Sequence, residues 1–373
     1  MVLVCDGVGM RVSTGKVEAK EAYSDLKAAW HLDQIERLRS GERVVPPHVQ
    51  LIISDLCNQD CHFCAYRMSA GFSTENFAQD GNKNPNRKIA TEKAVAILDD
   101  LKYLGVQAVQ FTGGGEPTVH KEHMTIFRHA LALGLKCGLV TNGTKLAEGW
   151  REVYPKFSWI RVSLDAGTRE TYAKIRGSRE KMFATVLENT RALTRACPDT
   201  VVGIGYVVTP ENYGEIVSGV RSAKWTGASY VRVSAMFSKE FMAPFEDIYE
   251  TIKLKIDAAR RTYEDDAFKV VDLFGNRLDD LQQHAPDYPI CGYQHFNVYI
   301  GADLKVYRCC TTAYTDHGEV GDLSNQSFLE WYSEAGPKYK DFDARSCSVC
   351  QFNGKNKAIN YLVGPKPLHV EFV

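Results

Sequence analysis

Several features that assign a sequence to a familiar class are missing from this one. Its 373 residues contain no apolar run near the roughly 18 residues of a membrane span. The N-terminus lacks the basic start and cleavage pattern of a signal peptide. Lysine and arginine (45) balance aspartate and glutamate (46), so no overall charge attracts nucleic acid or a membrane surface. We therefore expect a cytoplasmic protein without a membrane partner.

Common catalytic patterns are also missing. The sequence shows no phosphate-binding Walker loop, no histidine pair at metal-ligand spacing on a helix, and no Ser/His/Asp order. What it does contain is eleven cysteines. Without an export signal, these cysteines indicate a reducing compartment and metal–thiolate chemistry rather than disulfides.

Apolar, β-branched runs alternate with amphipathic stretches over residues 48–265. Strands are predicted at 48–54, 108–112, 137–141, 159–164, 201–208 and 229–235. Helices are predicted at 18–39, 91–104, 122–133, 145–153, 169–196 with a break near Gly177, 213–225 and 248–265. Strict alternation predicts an α/β fold with a parallel sheet, here a partial (β/α)6 TIM barrel. We expect a helical lead-in over 1–47, the barrel over 48–265 and a small C-terminal domain over 266–373.

Three cysteines lie within eight residues just after the first predicted strand. Cys57, Cys61 and Cys64 are separated by three and then two residues, on a loop at the carboxyl end of a strand, where α/β barrels keep their chemistry. Three thiolates can hold three irons of a 4Fe–4S cluster and leave the fourth iron open to a small molecule. A zinc site needs a fourth ligand, and His62 lies between the ligand positions and is expected to point away. A disulfide leaves one thiol unpaired.

This loop, with Phe63 just before its last cysteine, resembles the radical S-adenosylmethionine (radical SAM) superfamily. The resemblance implies that the open iron binds the amino and carboxylate groups of SAM. An electron from the cluster then cleaves SAM to methionine and a 5′-deoxyadenosyl radical, which takes a hydrogen atom from a substrate. An electron donor such as flavodoxin or ferredoxin is implied as a partner. A zinc site or an inert cysteine cluster is the alternative.

A glycine triplet follows the second barrel strand. Gly113-Gly114-Gly115-Glu116-Pro117 is similar to the superfamily motif that binds the amino group of SAM. Glycines let the backbone approach a ligand closely, and Glu116 can accept charge-assisted hydrogen bonds from an ammonium. The plain alternative is a tight turn followed by a helix-start glutamate.

Other strand ends resemble further SAM-binding positions. Ser163 or Asp165, after the fourth strand, is expected to meet the ribose hydroxyls, with Ser163 favoured because Asp165 can cap the next turn. Asn142 lies in a Thr-Asn-Gly turn and is expected either to touch SAM or to close its loop. Arg176 matches a basic position near the SAM carboxylate, and the backbone beside Phe63 is expected to meet adenine.

A polar insertion rich in glycine and asparagine spans residues 65–87. Barrel loops are usually ~2–6 residues long, and longer ones are often functional. We hypothesise a substrate-gating lid whose Arg67, Lys83, Arg87 and Lys88 contact an anion. A solvated surface loop is the alternative.

A second group of cysteines follows residue 270: Cys291, Cys309, Cys347 and Cys350. A hairpin is predicted around Gly301-Ala302-Asp303, between the first two of them. Four thiolates can close a second 4Fe–4S cluster or a structural zinc site.

This layout resembles the twitch domain, a shortened form of the SPASM domain of radical SAM enzymes. That resemblance implies an auxiliary 4Fe–4S cluster. Leu304 replaces the glycine usually found five residues before the second cysteine. The neighbouring Cys310 leaves the second ligand open, although the hairpin spacing favours Cys309.

Two outcomes are open to a substrate radical in such an enzyme. It can give an electron to the auxiliary cluster, which is an oxidation, or rearrange and recover a hydrogen, which is an isomerisation. The short lead-in lacks a leader-binding domain, which favours a small or nucleotide-linked substrate. One alternative is an isomerase of bacteriophage DNA hypermodification that moves an amino acid on the thymine methyl carbon, with DNA as partner. Another is a non-catalytic iron–sulfur or zinc module.

Overall fold

The computed structural model describes residues 23–69, 71–78, 83–334 and 342–369 in full, and only the backbone of the first two strands. The strands are β1 (Val2–Asp6), β2 (Gly9–Ser13), β3 (His48–Leu51), β4 (Ala108–Phe111), β5 (Lys136–Thr141), β6 (Trp159–Ser163), β7 (Val201–Val208), β8 (Tyr230–Ala235), β9 (Lys269–Asp272), β10 (Asn297–Ile300), β11 (Lys305–Tyr307) and β12 (Glu319–Asp322). The α-helices are α1 (Leu32–Arg39), α2 (Thr91–Tyr103), α3 (His123–Ala132), α4 (Trp150–Val153), α5 (Arg169–Arg176), α6 (Lys181–Ala196), α7 (Ile216–Trp225), α8 (Tyr249–Tyr263), α9 (Phe274–Gln283), α10 (Phe328–Glu334) and α11 (Asn353–Val363). None of the helices in the described ranges has the length and apolar character that a bilayer crossing needs.

One sheet of ten strands organises the fold. Its order is β12-β11-β10-β3-β4-β5-β6-β7-β8-β9. The strands from β10 to β9 run parallel, whereas β11 and β12 add antiparallel at one edge. Because β9 and β10 lie at opposite ends of the parallel part, the barrel stays open between them. The predicted α/β fold with a partial barrel is confirmed.

The six predicted strands form β3 to β8, with small differences at their ends. β3 ends at Leu51, three residues early, and Ser54 instead forms an isolated bridge with Lys88. The weak helix predicted over 145–153 is only the short α4. The break predicted near Gly177 is present, since this glycine ends α5 with a left-handed φ of 53°.

Two strands extend the parallel sheet beyond the prediction. β9 and its helix α9 follow β8 inside the segment assigned to the C-terminal domain, and β9 pairs in parallel with β8. β10 forms the predicted hairpin with β11 and also pairs in parallel with β3. The division at residue 265 stays a prediction, and the hydrogen-bonded sheet runs across it.

Aromatic packing fixes the helix layer against the strands that carry the candidate site. The rings of Phe111 on β4 and Phe127 on α3 are fully buried with centroids 4.5 Å apart. Phe157 packs on the same rings. Each fully buried ring contributes ~1.5–3 kcal/mol relative to an exposed one. This layer holds the carboxyl end of β4 in place.

The lead-in packs on the C-terminal helix. The 3-10 helix Asp25–Trp30 buries Ala28, and α1 buries Ile35. Both side chains belong to a small apolar cluster with Phe296 and with Ile359 of α11. The predicted helix began at residue 18, and residues 18–22 lie outside the described residues. The two ends of the chain therefore stabilise each other.

Candidate SAM and iron–sulfur site

The loop that carries the first three cysteines is bound to the end of α5. The amide of Asp60 donates to the carbonyl of Arg176 at 3.0 Å, and the amide of His62 donates to that of Ile175 at 3.2 Å. These carbonyls have no partner within their helix, so the loop satisfies them. A Cβ on Gly177 would lie 2.6 Å from the Asp60 carbonyl oxygen, so only glycine permits this approach.

The thiols of Cys57, Cys61 and Cys64 lie together and are half-buried. Burial raises the pKa of the Cys57 thiol to about 11, and the charges of Glu116 and Cys64 raise it further. Burial likewise raises the pKa of Cys61 to about 12, whereas the Arg176 guanidinium lowers it. The loop thus brings together three thiols, one carboxylate and one guanidinium. The side chain of His62 instead lies 3.3 Å from Glu211, as expected for a residue that points away from the thiols.

A buried polar network holds the loop of the first three cysteines in place. The guanidinium of Arg176 donates to Gln59 Oε1 at 2.6 Å and 3.0 Å and forms an ion pair with Asp165. Asp165 also accepts from the amide of Val207 at 2.7 Å. Its carboxylate is 1% exposed and fully engaged. Of the two residues predicted to meet ribose, Ser163 is therefore the more accessible, half-buried at the end of β6.

The glycine triplet lies against the residues that precede Cys57. The amide of Gly115 donates to the Ser54 carbonyl at 3.1 Å. A Cβ on Gly114 would lie 2.4 Å from the Phe77 ring and 2.6 Å from Asp55 Oδ1. No larger residue fits there without moving the strand exit, so the triplet sets the distance between β3 and β4.

The Glu116 carboxylate is held in one orientation. Oε1 accepts from the Thr141 hydroxyl at 2.6 Å and from the Thr118 amide at 3.1 Å, and Oε2 accepts from the Asn142 amide at 2.6 Å. Asn142 in turn donates to Asn58 Oδ1 at 2.7 Å. The Thr-Asn-Gly turn thus closes its own loop and fixes the carboxylate that lies beside Cys57.

Part of the described insertion is packed into the protein, and part of it is exposed. Phe77 is fully buried, with its ring centroid 4.8 Å from that of Tyr314. Arg87 Nε lies 2.8 Å from Asp55 Oδ2, and the Tyr314 hydroxyl donates to Asp55 Oδ1 at 2.5 Å. Burial raises the pKa of Asp55 to about 6, although Tyr314 and Arg87 lower it. This junction joins the cluster loop, the insertion and the C-terminal segment.

Two of the four basic residues predicted to contact an anion are used inside the protein. Arg87 binds Asp55, and Arg67 donates to the Cys61 carbonyl at 3.1 Å. Lys83 and Lys88 are exposed. Gly81 and Asn82, which are also part of the predicted lid, lie outside the described residues.

Four C-terminal thiols line one cavity. Its walls include Cys291, Cys309, Cys347, Cys350, Tyr288, Tyr293 and Phe342. Burial raises the pKa of Cys347 to about 12 and of Cys350 to about 11, and in both cases the charge of Cys309 raises it further. No three His, Cys, Asp or Glu side chains of the described ranges converge on a point suited to a single metal ion. The thiols instead surround a common space.

The structure places Cys309, and not Cys310, with the other three thiols. Gln351 Nε2 donates to Cys310 Sγ at 3.0 Å, and the hydroxyl of Ser73 donates to the Cys310 carbonyl at 2.8 Å. Cys310, unlike Cys309, does not line the cavity of the C-terminal thiols. Leu304, in the turn between β10 and β11, has a left-handed φ of 65°, which explains why the resembling domains carry glycine at that position.

Sequence reasoning missed several groups of the site. In the sequence Gln59 has only the position of a spacer between two cysteines, whereas in the structure it binds Arg176. Asp55 and Tyr314 are 259 residues apart in the sequence, and no local pattern links them. The one sequence signal for Asp55 is its position directly after a predicted strand.

Residues 51–222 match the family model of the radical SAM superfamily. These residues form a radical SAM domain. Such a domain implies SAM and a 4Fe–4S cluster as cofactors, and the cluster loop fits them, because its thiols include Cys57 beside the fixed carboxylate of Glu116.

Relatives of this radical SAM chain differ in their named activities. It is 30% identical to Fe-coproporphyrin III synthase of Methanosarcina barkeri over 165 residues, 43% of this chain and 36% of the relative. It is 24% identical to a probable GTP 3′,8-cyclase of Saccharolobus islandicus over 187 residues, 50% of this chain and 55% of the relative. The chain thus matches between about a third and a half of these proteins. Streptococcus suis SuiB bound to precursor peptide SuiA shares the fold, with a TM-score of 0.60, 15% identity and coverage of 93% of this chain and 79% of that one.

Proposed function

We propose that this enzyme generates a 5′-deoxyadenosyl radical from SAM and uses it to abstract hydrogen from a C–H bond of a small or nucleotide-linked substrate. The observation that carries the proposal is the placement of Glu116 beside Cys57 of the cluster loop, where the amide of Glu116 donates to the Leu56 carbonyl at 3.0 Å. When bound, a 4Fe–4S cluster held by Cys57, Cys61 and Cys64 supplies the open iron and the electron that splits SAM. A flavodoxin or ferredoxin replenishes that electron.

The residues around the thiols divide the binding of SAM among them. The carboxylate of Glu116, fixed by Thr141 and Asn142, accepts hydrogen bonds from the SAM amino group. Arg176 contributes positive charge near the SAM carboxylate, and Ser163 accepts or donates to the ribose hydroxyls. The backbone at Phe63 meets the adenine. Because each polar group is already oriented by protein neighbours, little reorganisation is needed when SAM binds.

The four C-terminal thiols of Cys291, Cys309, Cys347 and Cys350 hold an auxiliary 4Fe–4S cluster in our proposal. Four protein ligands leave no open iron, so its role is electron relay or scaffold rather than substrate binding. Amide groups of Phe352 and Asn356 lie 3.4 Å from Cys350 Sγ. Such N–H···S contacts tune the reduction potential of a cluster.

The reaction is either an oxidation or an isomerisation, and the two differ in their hydrogen balance. In an oxidation the substrate radical loses an electron to the auxiliary cluster, and one 5′-deoxyadenosine accumulates per product. In an isomerisation the rearranged radical recovers a hydrogen atom. The GTP named for one relative supports a nucleotide-linked substrate in this chain.

The first experiment is anaerobic reconstitution followed by assay of SAM cleavage with dithionite. We expect about eight irons per chain, from two 4Fe–4S clusters, and 5′-deoxyadenosine as product. Cys57→Ala should abolish cleavage. Cys197→Ala, a buried thiol outside both groups, is the matched control and should cleave SAM like the wild type. Wild-type protein that holds iron but releases no 5′-deoxyadenosine would disprove the proposal, and zinc in place of the second four irons would disprove the auxiliary cluster.

A second experiment separates the two reactions. Candidate substrates deuterated at their C–H bonds are incubated with SAM, and the label is followed by mass spectrometry. Deuterium in 5′-deoxyadenosine identifies the substrate and the position attacked. A product two hydrogens lighter than the substrate indicates oxidation, and a product of equal mass indicates isomerisation.

A further inference from the structure

Three arginines point into the barrel from different elements. Arg161 lies on β6, Arg232 on β8 and Arg277 on α9. Val162, the next residue on β6, lies close to Gly143 on the helix side of the sheet. Because successive residues of a strand face opposite sides, Arg161 faces the inside of the barrel. The charges of Arg161 and Arg277 lower the pKa of Arg232, and the charge of Arg161 lowers the pKa of Arg277. The register sets Arg161 and Arg232 opposite two glycines of β7, so both stand on the same face of the sheet, and the charge of Arg161 reaches Arg277.

None of these guanidiniums forms an ion pair with a carboxylate of the described residues, although the charge of Asp280 opposes the lowering of the pKa of Arg277. Their contacts are with the phenols of Tyr23 and Tyr230, which lie within hydrogen-bonding reach of Arg161. Nε of Arg232 is buried and has no hydrogen-bond partner. Burial is the largest cause of the lowered pKa of Arg232, at about 10. Three positive charges with one nearby carboxylate, Asp280, are costly to hold together when partly buried, so an anion is the ligand that this arrangement fits.

Aromatic rings line the same space. The guanidinium of Arg232 lies 5.8 Å from the centroid of the Tyr23 ring, and that of Arg277 lies 4.9 Å from the centroid of Phe237. Burial raises the pKa of Tyr23, but the charges of Arg161 and Arg232 outweigh burial and leave it lowered. The local field is thus strongly positive even where a neutral side chain is expected.

The arginines lie within the same barrel as the cluster loop. Arg232 is near enough to Asp165 for its charge to lower the pKa of that carboxyl, which burial raises overall. Asp165 is paired with Arg176, whose guanidinium binds Gln59 of the cluster loop. The arginine group is thus linked to the cluster loop through Asp165 and Arg176. Asp165 is itself neutralised by Arg176, so it does not balance the arginine group.

We propose that Arg161, Arg232 and Arg277 bind a polyphosphate group of the substrate. Three guanidiniums match the charge of a di- or triphosphate better than that of a single carboxylate, and their planar forks suit phosphate oxygens. This assignment rests on the proposed function and narrows its substrate class to phosphorylated molecules. The partial burial of all three arginines fits a free nucleotide-like molecule better than a duplex.

The test is direct binding of inorganic triphosphate to the reconstituted full-length protein by calorimetry, with tricarballylate at equal ionic strength as the carboxylate comparison. We expect triphosphate to bind more tightly than tricarballylate. Arg161→Gln, Arg232→Gln and Arg277→Gln should each weaken triphosphate binding by roughly ten-fold or more. Arg191→Gln, which removes an arginine stacked on Trp225 outside the barrel, is the control and should bind like the wild type.

Several outcomes decide the matter. Equal affinity in the wild type and all three glutamine variants, or equal binding of tricarballylate and triphosphate, would overturn the phosphate site. Tighter binding of nucleoside triphosphates than of triphosphate supports a nucleotide as the source, whereas equal binding supports a phosphorylated group without a base. If the glutamine variants do not fold by circular dichroism, Arg161→Lys and Arg232→Lys take their place, since they keep charge but lose the fork. SAM cleavage by the same wild-type preparation is measured separately, so failure of the radical chemistry and failure of the anion site give different results.

Discussion

Adjacent residues with the same side chain have different surroundings in the C-terminal segment. The charge of Cys309 acts on Cys347 and Cys350, while Cys310 accepts a hydrogen bond from Gln351. A hairpin end turns successive side chains to opposite sides. One residue along the chain thus separates a candidate cluster ligand from a packed thiol.

We predict that Cys309→Ala and Cys310→Ala have different iron contents. Loss of the Cys309 thiolate opens the auxiliary cluster, so the anaerobically reconstituted variant should hold about four irons instead of about eight. Cys310→Ala should hold the full content. Iron and sulfide analysis with electron paramagnetic resonance of the reduced proteins checks both. A full iron content in Cys309→Ala would contradict the assignment of Cys309 as the ligand. A lowered iron content in Cys310→Ala alone would show that Cys310 is the ligand instead.

The strand exits form the next level of organisation. β3, β4 and β5 end side by side, and their loops carry the first thiols, the glycine triplet and the Thr-Asn-Gly turn. The triplet lets the exits of β3 and β4 approach until backbone atoms touch. Element packing, rather than contact with a ligand alone, accounts for glycine at these positions.

We predict that Gly114→Ala damages both stability and SAM binding. The added methyl group would overlap the Phe77 ring and Asp55 Oδ1, and overpacking of this kind costs ~1–3 kcal/mol. Urea denaturation measures the loss of stability, and equilibrium binding of SAM to the reconstituted protein measures the effect on the site.

Gly214→Ala is the control for this substitution. A Cβ at Gly214 meets nothing within 4 Å, so the variant should match the wild type in both measurements. Wild-type stability and SAM affinity in Gly114→Ala would show that the ends of β3 and β4 can move apart without loss of either.

At the scale of the whole molecule, the ten-stranded sheet ties the stability of distant segments together. His48 begins β3, between Asn297 of β10 and Ala108 of β4. Burial lowers the pKa of His48 to about 4, and the charge of Lys27 lowers it further. The folded protein therefore keeps this imidazole neutral at a pH where the unfolded chain takes up a proton.

We predict that His48 makes folding less favourable as the pH falls from about 6.5 to about 4. In that window the unfolded state binds the additional proton, so stability present above pH 6.5 is lost, by about 1–3 kcal/mol for this residue. His48→Gln should show a shallower fall in the free energy of unfolding between pH 7 and pH 4.5 than the wild type. Gly214→Ala, which removes no titratable group, should keep the wild-type slope. Parallel slopes for wild type and His48→Gln would refute the prediction.

Local patterns were sufficient to predict much of this architecture. The six barrel strands, the break at Gly177 and the hairpin before Cys309 each follow from periodicity or from a turn residue. β9 was missed because a four-residue strand next to a polar segment carries little periodic signal. The parallel pairing of β10 with β3 was missed because it joins residues about 250 positions apart.

The site was predictable to the extent that its motifs are contiguous. The cysteine loop and the Gly-Gly-Gly-Glu stretch stand out by spacing alone. The binding of Arg87 to Asp55, and the grouping of Arg161 with Arg232 and Arg277, depend on which strands become neighbours and which faces point inward. Sequence alone offered Arg87 as an anion contact of the insertion, and the fold uses it as an internal partner of Asp55.

The hairpin that leads to Cys309 is hydrogen-bonded to the very strand that delivers Cys57. If the four C-terminal thiols hold the proposed auxiliary cluster, its loss through iron limitation or exposure to oxygen would also destabilise the strand that precedes the first cysteine loop.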